Sequence, residues 1–150
     1  MAVRGREVEV TNRRAFHDYF IHERIECGIV LLGSEVKSIR NGGGNLRHGY
    51  AQFRNGELWL VGVNISKYDF SGSLGHEPTR ARKLLLSRRE LDKLRVKSEA
   101  KGFTLVPLRM YFSKGRVKVE IGLCQGKRQY DKRESIKERD QERAKRRGLD

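Results

Sequence analysis

Ala51-Gln52-Phe53-Arg54-Asn55-Gly56-Glu57-Leu58-Trp59-Leu60 sets an Asn-Gly pair between two runs of alternating polarity. A two-residue type I′ turn needs positive φ at both central positions, which Asn followed by Gly tolerates. The stretch therefore predicts a β-hairpin and its register: Arg54 faces Glu57, Phe53 faces Leu58 and Ala51 faces Leu60. An ion pair falls on one face together with a partly exposed Trp59, and an apolar ladder falls on the other.

Working outward, Phe103 to Phe112 and Arg116 to Cys124 read as a second hairpin around Lys114-Gly115. In its second strand Val117, Val119, Ile121 and Leu123 point inward while Lys118 and Glu120 point outward. Pro107 has no N–H to donate, so it belongs at an edge or a bulge. Glu26 to Leu32 alternates around β-branched residues and reads as another strand. Helical spacing of Ala15, Phe16, Tyr19 and Phe20 predicts a helix from Asn12 to Ile21, capped by Thr11 or Asn12. A second short helix, Glu35 to Arg40, follows Ser34 as cap and stops at Gly42-Gly43-Gly44. Ser87-Arg88-Arg89-Glu90 is a capping-box pattern stapled by Leu86 and Leu91, and it opens a third helix running to about Lys101. Between the hairpins, Ser66 to Arg82 is turn-rich and reads as a long surface connection.

Taken together, the 150 residues predict one mainly β domain, an OB-type antiparallel barrel over 1–126 with about three short helices. The remainder, 127–150, cannot form a core. From Gly126 onward ten Lys or Arg and six Asp or Glu leave only Ile136, Ala144 and Leu149 as aliphatic residues, so this tail is expected to be disordered until it folds on a partner.

Charge points to the partner. Thirty-three Lys and Arg against nineteen Asp and Glu give a net charge of +14, a self-repelling surface suited to a polyanion. No stretch approaches the roughly 20 apolar residues that a spanning helix needs. The N-terminus lacks an apolar secretion core. A cytoplasmic chain is expected, with Cys27 and Cys124 as buried thiols rather than a disulfide.

Catalytic and metal readings are weak. His17 and Asp18 are helix neighbours that point apart, and no glycine-flanked nucleophile is present. His17, His22, His48, His76, Cys27 and Cys124 show no metal-ligand spacing, so neither metal nor cofactor is expected. Gly42-Gly43-Gly44 lacks the Lys-Ser/Thr of a phosphate loop. What remains is basic: Arg80, Arg82 and Lys83 in a loop, Arg88 and Arg89 opening a helix, Lys118 on a strand, then Lys127-Arg128 and Lys132-Arg133, spread over several elements as a phosphate-binding surface requires.

Five blocks then carry a resemblance. Asn12-Arg13-Arg14-Ala15-Phe16-His17-Asp18-Tyr19, Glu26-Cys27-Gly28-Ile29-Val30-Leu31, Gly33-Ser34-Glu35-Val36-Lys37-Ser38-Ile39-Arg40, Arg80-Ala81-Arg82-Lys83-Leu84-Leu85-Leu86 and Gly126-Lys127-Arg128-Gln129-Tyr130-Asp131-Lys132-Arg133 closely resemble the bacterial SmpB family, in the same order. The resemblance implies a non-enzymatic, monomeric partner of transfer-messenger RNA (tmRNA). Such a protein grips the tRNA-like domain, supports its charging by alanyl-tRNA synthetase, and enters stalled ribosomes with elongation factor Tu for trans-translation. The barrel would occupy the A site and the tail the empty mRNA channel.

By resemblance, Glu26, Leu85 and Lys118 match positions tied to RNA binding, and Asn12, Arg82, Lys83, Lys127 and Arg128 join them as RNA-binding candidates. Tyr130, Asp131, Lys132 and Arg133 match the segment at the decoding centre. The chemistry suits those roles: Lys118 can neutralise a phosphate, Leu85 can pack on a sugar or an unstacked base, and Glu26 can accept from a guanine edge or a 2′-hydroxyl. Cys27, Ser87 and Gln125 depart from the family's usual residues, and the tail end Arg143-Ala144-Lys145-Arg146-Arg147-Gly148-Leu149-Asp150 lacks an apolar pair that some relatives carry. The rival reading is a permanent structural protein of the ribosome, also small, basic and OB-like.

Overall fold

The computed structural model describes residues 9–67 and 75–127. Most of the expected tail lies outside this range, including Arg128, Tyr130, Asp131, Lys132 and Arg133. Nine strands and three helices are formed among the described residues: β1 Val10–Thr11, α1 Arg13–Asp18, β2 Tyr19–Ile29, α2 Gly33–Arg40, β3 Gly44–Asn45, β4 Tyr50–Arg54, β5 Glu57–Val61, β6 Asn64–Ile65, β7 Arg82–Leu85, α3 Arg88–Ser98, β8 Phe103–Ser113 and β9 Arg116–Gly126.

Six strands close on themselves in the order β8-β4-β5-β7-β2-β9, with β9 returning to β8 and β1 added beside β8. The pairings are antiparallel. The closure is uneven. β2 and β8 each pair with β9 along most of their length, whereas β4 meets β8 through the single pair Ala51–Leu105. The result is an OB-type ring of strands rather than an evenly stitched barrel. Inside it lie Leu58, Leu60, Leu105, Met110, Val119 and Ile121, with Ile39, Leu46 and Leu94 closing the ends.

The first hairpin forms in the expected register, Ala51 against Leu60, Phe53 against Leu58 and Arg54 against Glu57. Asn55 and Gly56 hold φ at 52° and 77°, and Lys114 and Gly115 repeat those values in the second hairpin. Side-chain pairing departs from expectation. Glu57 takes Lys83 of β7 at 2.8 Å and Arg54 turns to Gln52, because a ring of strands gives Glu57 a second neighbour.

Two bulges shape the ring. Leu108 is left over between the pairs Pro107–Ile121 and Arg109–Glu120, and His22 between Ile21–Cys124 and Glu23–Leu123. Each extra residue switches which face alternate side chains meet. Leu105 and Met110 therefore both enter the main core, while Val106, Leu108 and Cys124 form a second cluster that α1 covers with Ala15. Pro107 sits at such a bulge, as its missing N–H requires.

The first helix is shorter than its spacing suggests. It ends at Asp18, and Tyr19 turns into extended backbone at φ −123° and ψ 147°. Tyr19 and Phe20 pair with Gly126 and Gln125 of β9 instead, a ladder that outweighs the local helical pattern. Asn12 is its cap, accepting from the Ala15 N–H at 3.3 Å. Ser34 is not a cap: α2 begins at Gly33, two residues earlier than expected, and Glu35 at its third position reaches back to the Leu32 N–H at 2.7 Å. The Ser34 hydroxyl donates instead to His76 Nδ1 at 2.8 Å, leaving Nε2–H of that buried imidazole for the Ile65 carbonyl at 2.7 Å. The third helix opens on Ser87 as expected and stops at Ser98, three residues early. Cys27 and Cys124 are free and buried, and burial pushes both thiols up to about 12.

Glu35 and Arg82 are fully buried. The carboxylate takes Arg82 Nε at 2.6 Å, Arg80 Nη2 at 2.5 Å and the Leu32 N–H. Arg82 spends its remaining donors on the carbonyls of Val63 at 2.9 Å and Pro78 at 3.0 Å. Burial opposes ionisation of Glu35, but the hydrogen bonds from Arg80, Leu32 and Arg82 outweigh it and hold the carboxyl below its ordinary 4.5. Its contribution is complete above that value and is lost as pH falls through the depressed one. Glu35→Gln should therefore cost about 3–5 kcal/mol at neutral pH by orphaning a buried guanidinium. In urea titrations from pH 7 down to pH 2, the gap between variant and parent should close at the acid end.

Candidate nucleic-acid interface

Registers across four strands decide what shares the outer face. Gly28 of β2 lies opposite Leu85 of β7 on one side and Lys118 of β9 on the other, and Lys118 lies opposite Tyr111 of β8. The neighbouring row sets Glu26 against Glu120 and Glu120 against Arg109. Because side chains alternate with a period of two, Glu26, Gly28, Leu85, Lys118, Tyr111, Glu120 and Arg109 all stand on the surface away from the core.

Leu85 remains 48% exposed although it is flanked by core residues, and it leans over Gly28. A Cβ added at Gly28 would come within 3.3 Å of the Leu85 Cβ, so the glycine lets the leucine lie flat on the sheet. Lys118 is half-buried and makes no ion pair among the described residues. Lys83, two residues before Leu85 and on the same face, is held by Glu57.

Glu26 is placed directly opposite Glu120, an arrangement that repels unless each carboxylate finds a donor. Arg109 supplies Nη2 to Glu120 at 3.0 Å, with Arg24 3.7 Å away on the other side. The Tyr111 hydroxyl donates to Glu26 Oε2. Arg109 also lies 5.0 Å over the Tyr111 ring and reaches Glu9 at 3.3 Å. These acids, Glu120 foremost, push the Arg109 guanidinium further up from its ordinary value. Burial and then the Glu26 contact push the Tyr111 phenol up to about 12. Glu26 is thus an exposed carboxylate with one oxygen fixed by Tyr111.

The structure brings together Glu26, Leu85, Lys118 and Lys83, and separates the other candidates. Asn12 is buried: its amide donates to the carbonyls of Leu46 and Pro107 while its oxygen caps α1, so it frames the fold and offers nothing to a ligand. Arg82 likewise leaves the list of surface cations, since its guanidinium is spent on Glu35 and backbone carbonyls inside the ring. Lys127 is exposed, but it lies just past the end of β9 at Gly126, at the opposite end of that strand from Lys118. Tyr111, Arg109, Arg116 and Gly28 escape the sequence reading. Outward alternation along β8 could have found Tyr111 and Arg109, whereas the role of Gly28 needs the β7 partner to be known.

Among the described residues no helix is long and apolar enough to cross a membrane, and no group of three or more His, Cys, Asp or Glu is placed to hold a metal ion. The face sets a cation, an exposed leucine and a carboxylate side by side, groups that can meet an anion, an apolar body and a hydrogen-bond donor respectively.

Residues 9–150 match the family model described as SmpB protein. The chain belongs to the SmpB family. An SmpB-family relative from Desulfitobacterium hafniense (strain DSM 10664 / DCB-2), named SsrA-binding protein, is 48% identical over 143 residues, covering 95% of this chain and 92% of its own. The SsrA-binding protein of Roseiflexus castenholzii is 55% identical over 141 residues, 91% of this chain and 89% of its own. Among solved structures, a chain of "tmRNA-SmpB: a journey to the center of the bacterial ribosome" superposes with a TM-score of 0.68 at 46% identity, covering 79% of this chain and 83% of that one.

In this SmpB-family chain the Tyr111–Glu26 contact can be checked without any ligand. Removing the negative charge by Glu26→Gln takes away the second cause of the raised phenol and leaves burial, so Tyr111 should titrate below about 12 yet above its ordinary 10. Tyrosine ring chemical shifts followed from pH 9 to pH 13 give the measurement.

Proposed function

We propose that this chain binds the tRNA-like domain of tmRNA and delivers alanyl-tmRNA to stalled ribosomes in trans-translation. One observation carries the reading: an unpaired lysine, an exposed leucine and an oriented carboxylate occupy adjacent positions across β7, β2 and β9. A merely solvated surface has no use for a leucine laid on a glycine, and a pure phosphate clamp has no use for a carboxylate. Structured RNA with unstacked nucleotides needs all three: a cation for the backbone, an apolar body for sugar or base, and an acceptor for base-edge or 2′-hydroxyl donors. The names of the relatives and of the solved structure support RNA of this kind as the partner.

Within that reading Glu26, Leu85 and Lys118 grip the RNA, Lys83 adds charge once freed from Glu57, and Lys127 and Arg128 lead toward the ribosome. Residues 1–126 form the RNA-binding unit. The tail from 127, with Tyr130, Asp131, Lys132 and Arg133 at its start, enters the decoding centre and the mRNA channel. The protein does recognition and no bond chemistry; alanyl-tRNA synthetase charges the RNA and elongation factor Tu accompanies it. It works as a monomer in the cytoplasm.

The first test is copurification: the tagged chain should bring down one small stable RNA and should leave ribosomes in a high-salt wash, which a permanent ribosomal protein would resist. Quantitatively, Lys118→Ala should weaken binding of tRNA-like RNA and reduce the slope of log affinity against log salt by about one unit. An unchanged slope removes Lys118 from the contacts. Truncation after Gln129 should leave the melting temperature and free-RNA affinity close to those of the full chain, yet abolish peptidyl transfer to alanyl-tmRNA on ribosomes with an empty A site.

A further inference from the structure

Beside Leu85, on the side away from Lys83, α2 and the turn of the β8–β9 hairpin enclose a groove of about 340 Å³. That is within the range of small-ligand sites, roughly 300–1,000 Å³. Its floor is apolar, built by Ile29, Leu31 and Val36. Arg116 and Lys118 line its rim and Leu85 forms one wall. Arg116 is exposed, and like Lys118 it makes no ion pair among the described residues. Among the described residues no carboxylate lines the groove.

An apolar slot overhung by two free cations selects a flat apolar body that carries a fixed negative charge. A double helix cannot use it, because its bases are stacked inside and only its backbone would reach Arg116 and Lys118, leaving the floor uncovered. A nucleotide turned out of a loop meets both demands at once. The slot is also held open before any ligand arrives. Glu35, next to Val36 on α2, is pinned by Arg80 and Arg82, so the helix that forms one side cannot drift toward the hairpin. Leu85 resting on Gly28 stands where a neighbouring nucleotide would stack, and so favours eversion.

We propose that the groove between α2 and the β8–β9 turn takes one everted nucleotide of the bound RNA, its base on Ile29, Leu31 and Val36 and its phosphate between Arg116 and Lys118. The inference rests on the RNA-binding reading above and adds to it a single-nucleotide pocket.

Filter-binding titrations of the full chain test it with two RNAs, a tRNA-like transcript and a fully paired duplex of equal length. Val36→Trp fills the floor and should weaken the tRNA-like RNA about tenfold, the size expected for one lost stacking contact, with duplex affinity unchanged. Arg116→Ala touches nothing in the core and should lower the salt slope for the tRNA-like RNA by about one. Should Val36→Trp fail to fold, the parent chain answers: photocrosslinking of transcripts carrying 4-thiouridine at successive loop positions should join one position to the peptide containing Val36 or to that containing Arg116. Equal loss on both RNAs, unchanged affinity in both variants, or crosslinks to neither peptide would overturn the pocket while leaving the RNA-binding face intact. No binding of tRNA-like RNA by the parent chain would overturn the underlying reading and the pocket with it.

Discussion

A carboxylate buried among two guanidinium groups governs the geometry of this fold. Glu35 has no route to water, so Arg82 and Arg80 must meet it, and the meeting ties α2 to β7 and to the connection before it. The remaining donors of Arg82 then fasten that connection by the carbonyls of Val63 and Pro78. Such a buried pair adds little net stability over apolar residues of similar size, but removing one member is severe. Its value here is positional: the strand that ends in Leu85 and the helix that carries Val36 are held in a fixed relation.

How much of this the sequence discloses depends on distance along the chain. The Asn55-Gly56 hairpin, the alternation from Arg116 to Cys124, the Ser87 cap and the bulge at Pro107 are local matters, set by the φ that a turn demands or the N–H that proline lacks, and all are read correctly. Arg82 is misread as a loop cation because its partner stands 47 residues earlier, and nothing nearby in sequence says that the guanidinium is buried. The same holds for Tyr19 and Phe20. Their spacing suits a helix, and only the presence of β9 alongside makes them a strand. At the candidate site, Glu26, Leu85 and Lys118 are named on resemblance, but their shared row becomes visible only through the β2 pairings on both sides.

The outer face mixes acids and bases in a way that net charge conceals. Glu120, Glu57 and Glu9 occupy Arg109, Lys83 and in part Arg24, so cations that look interchangeable in the sequence divide into those already neutralised and those still available. Lys118 and Arg116 are in the second group. The acids therefore confine uncompensated positive charge on this face to a few positions, while Glu26, held by Tyr111, makes no ion pair among the described residues. On the proposed RNA-binding reading such a face attracts directionally, where a uniformly basic surface would hold any polyanion in any orientation.

The long pairing of β2 with β9 joins opposite ends of the described chain, Tyr19 against Gly126. Contacts of such high sequence separation make loop closure the slow step of folding, which places this ring among topologies that fold in milliseconds to seconds rather than microseconds. The same pairing lays Glu26 and Gly28 beside Lys118. A chain that has formed its two hairpins but has not yet joined these strands has set Lys118 against Tyr111 and Glu120 against Arg109, yet lacks Glu26 and Gly28 beside them, so the face is completed in the same event that completes the fold.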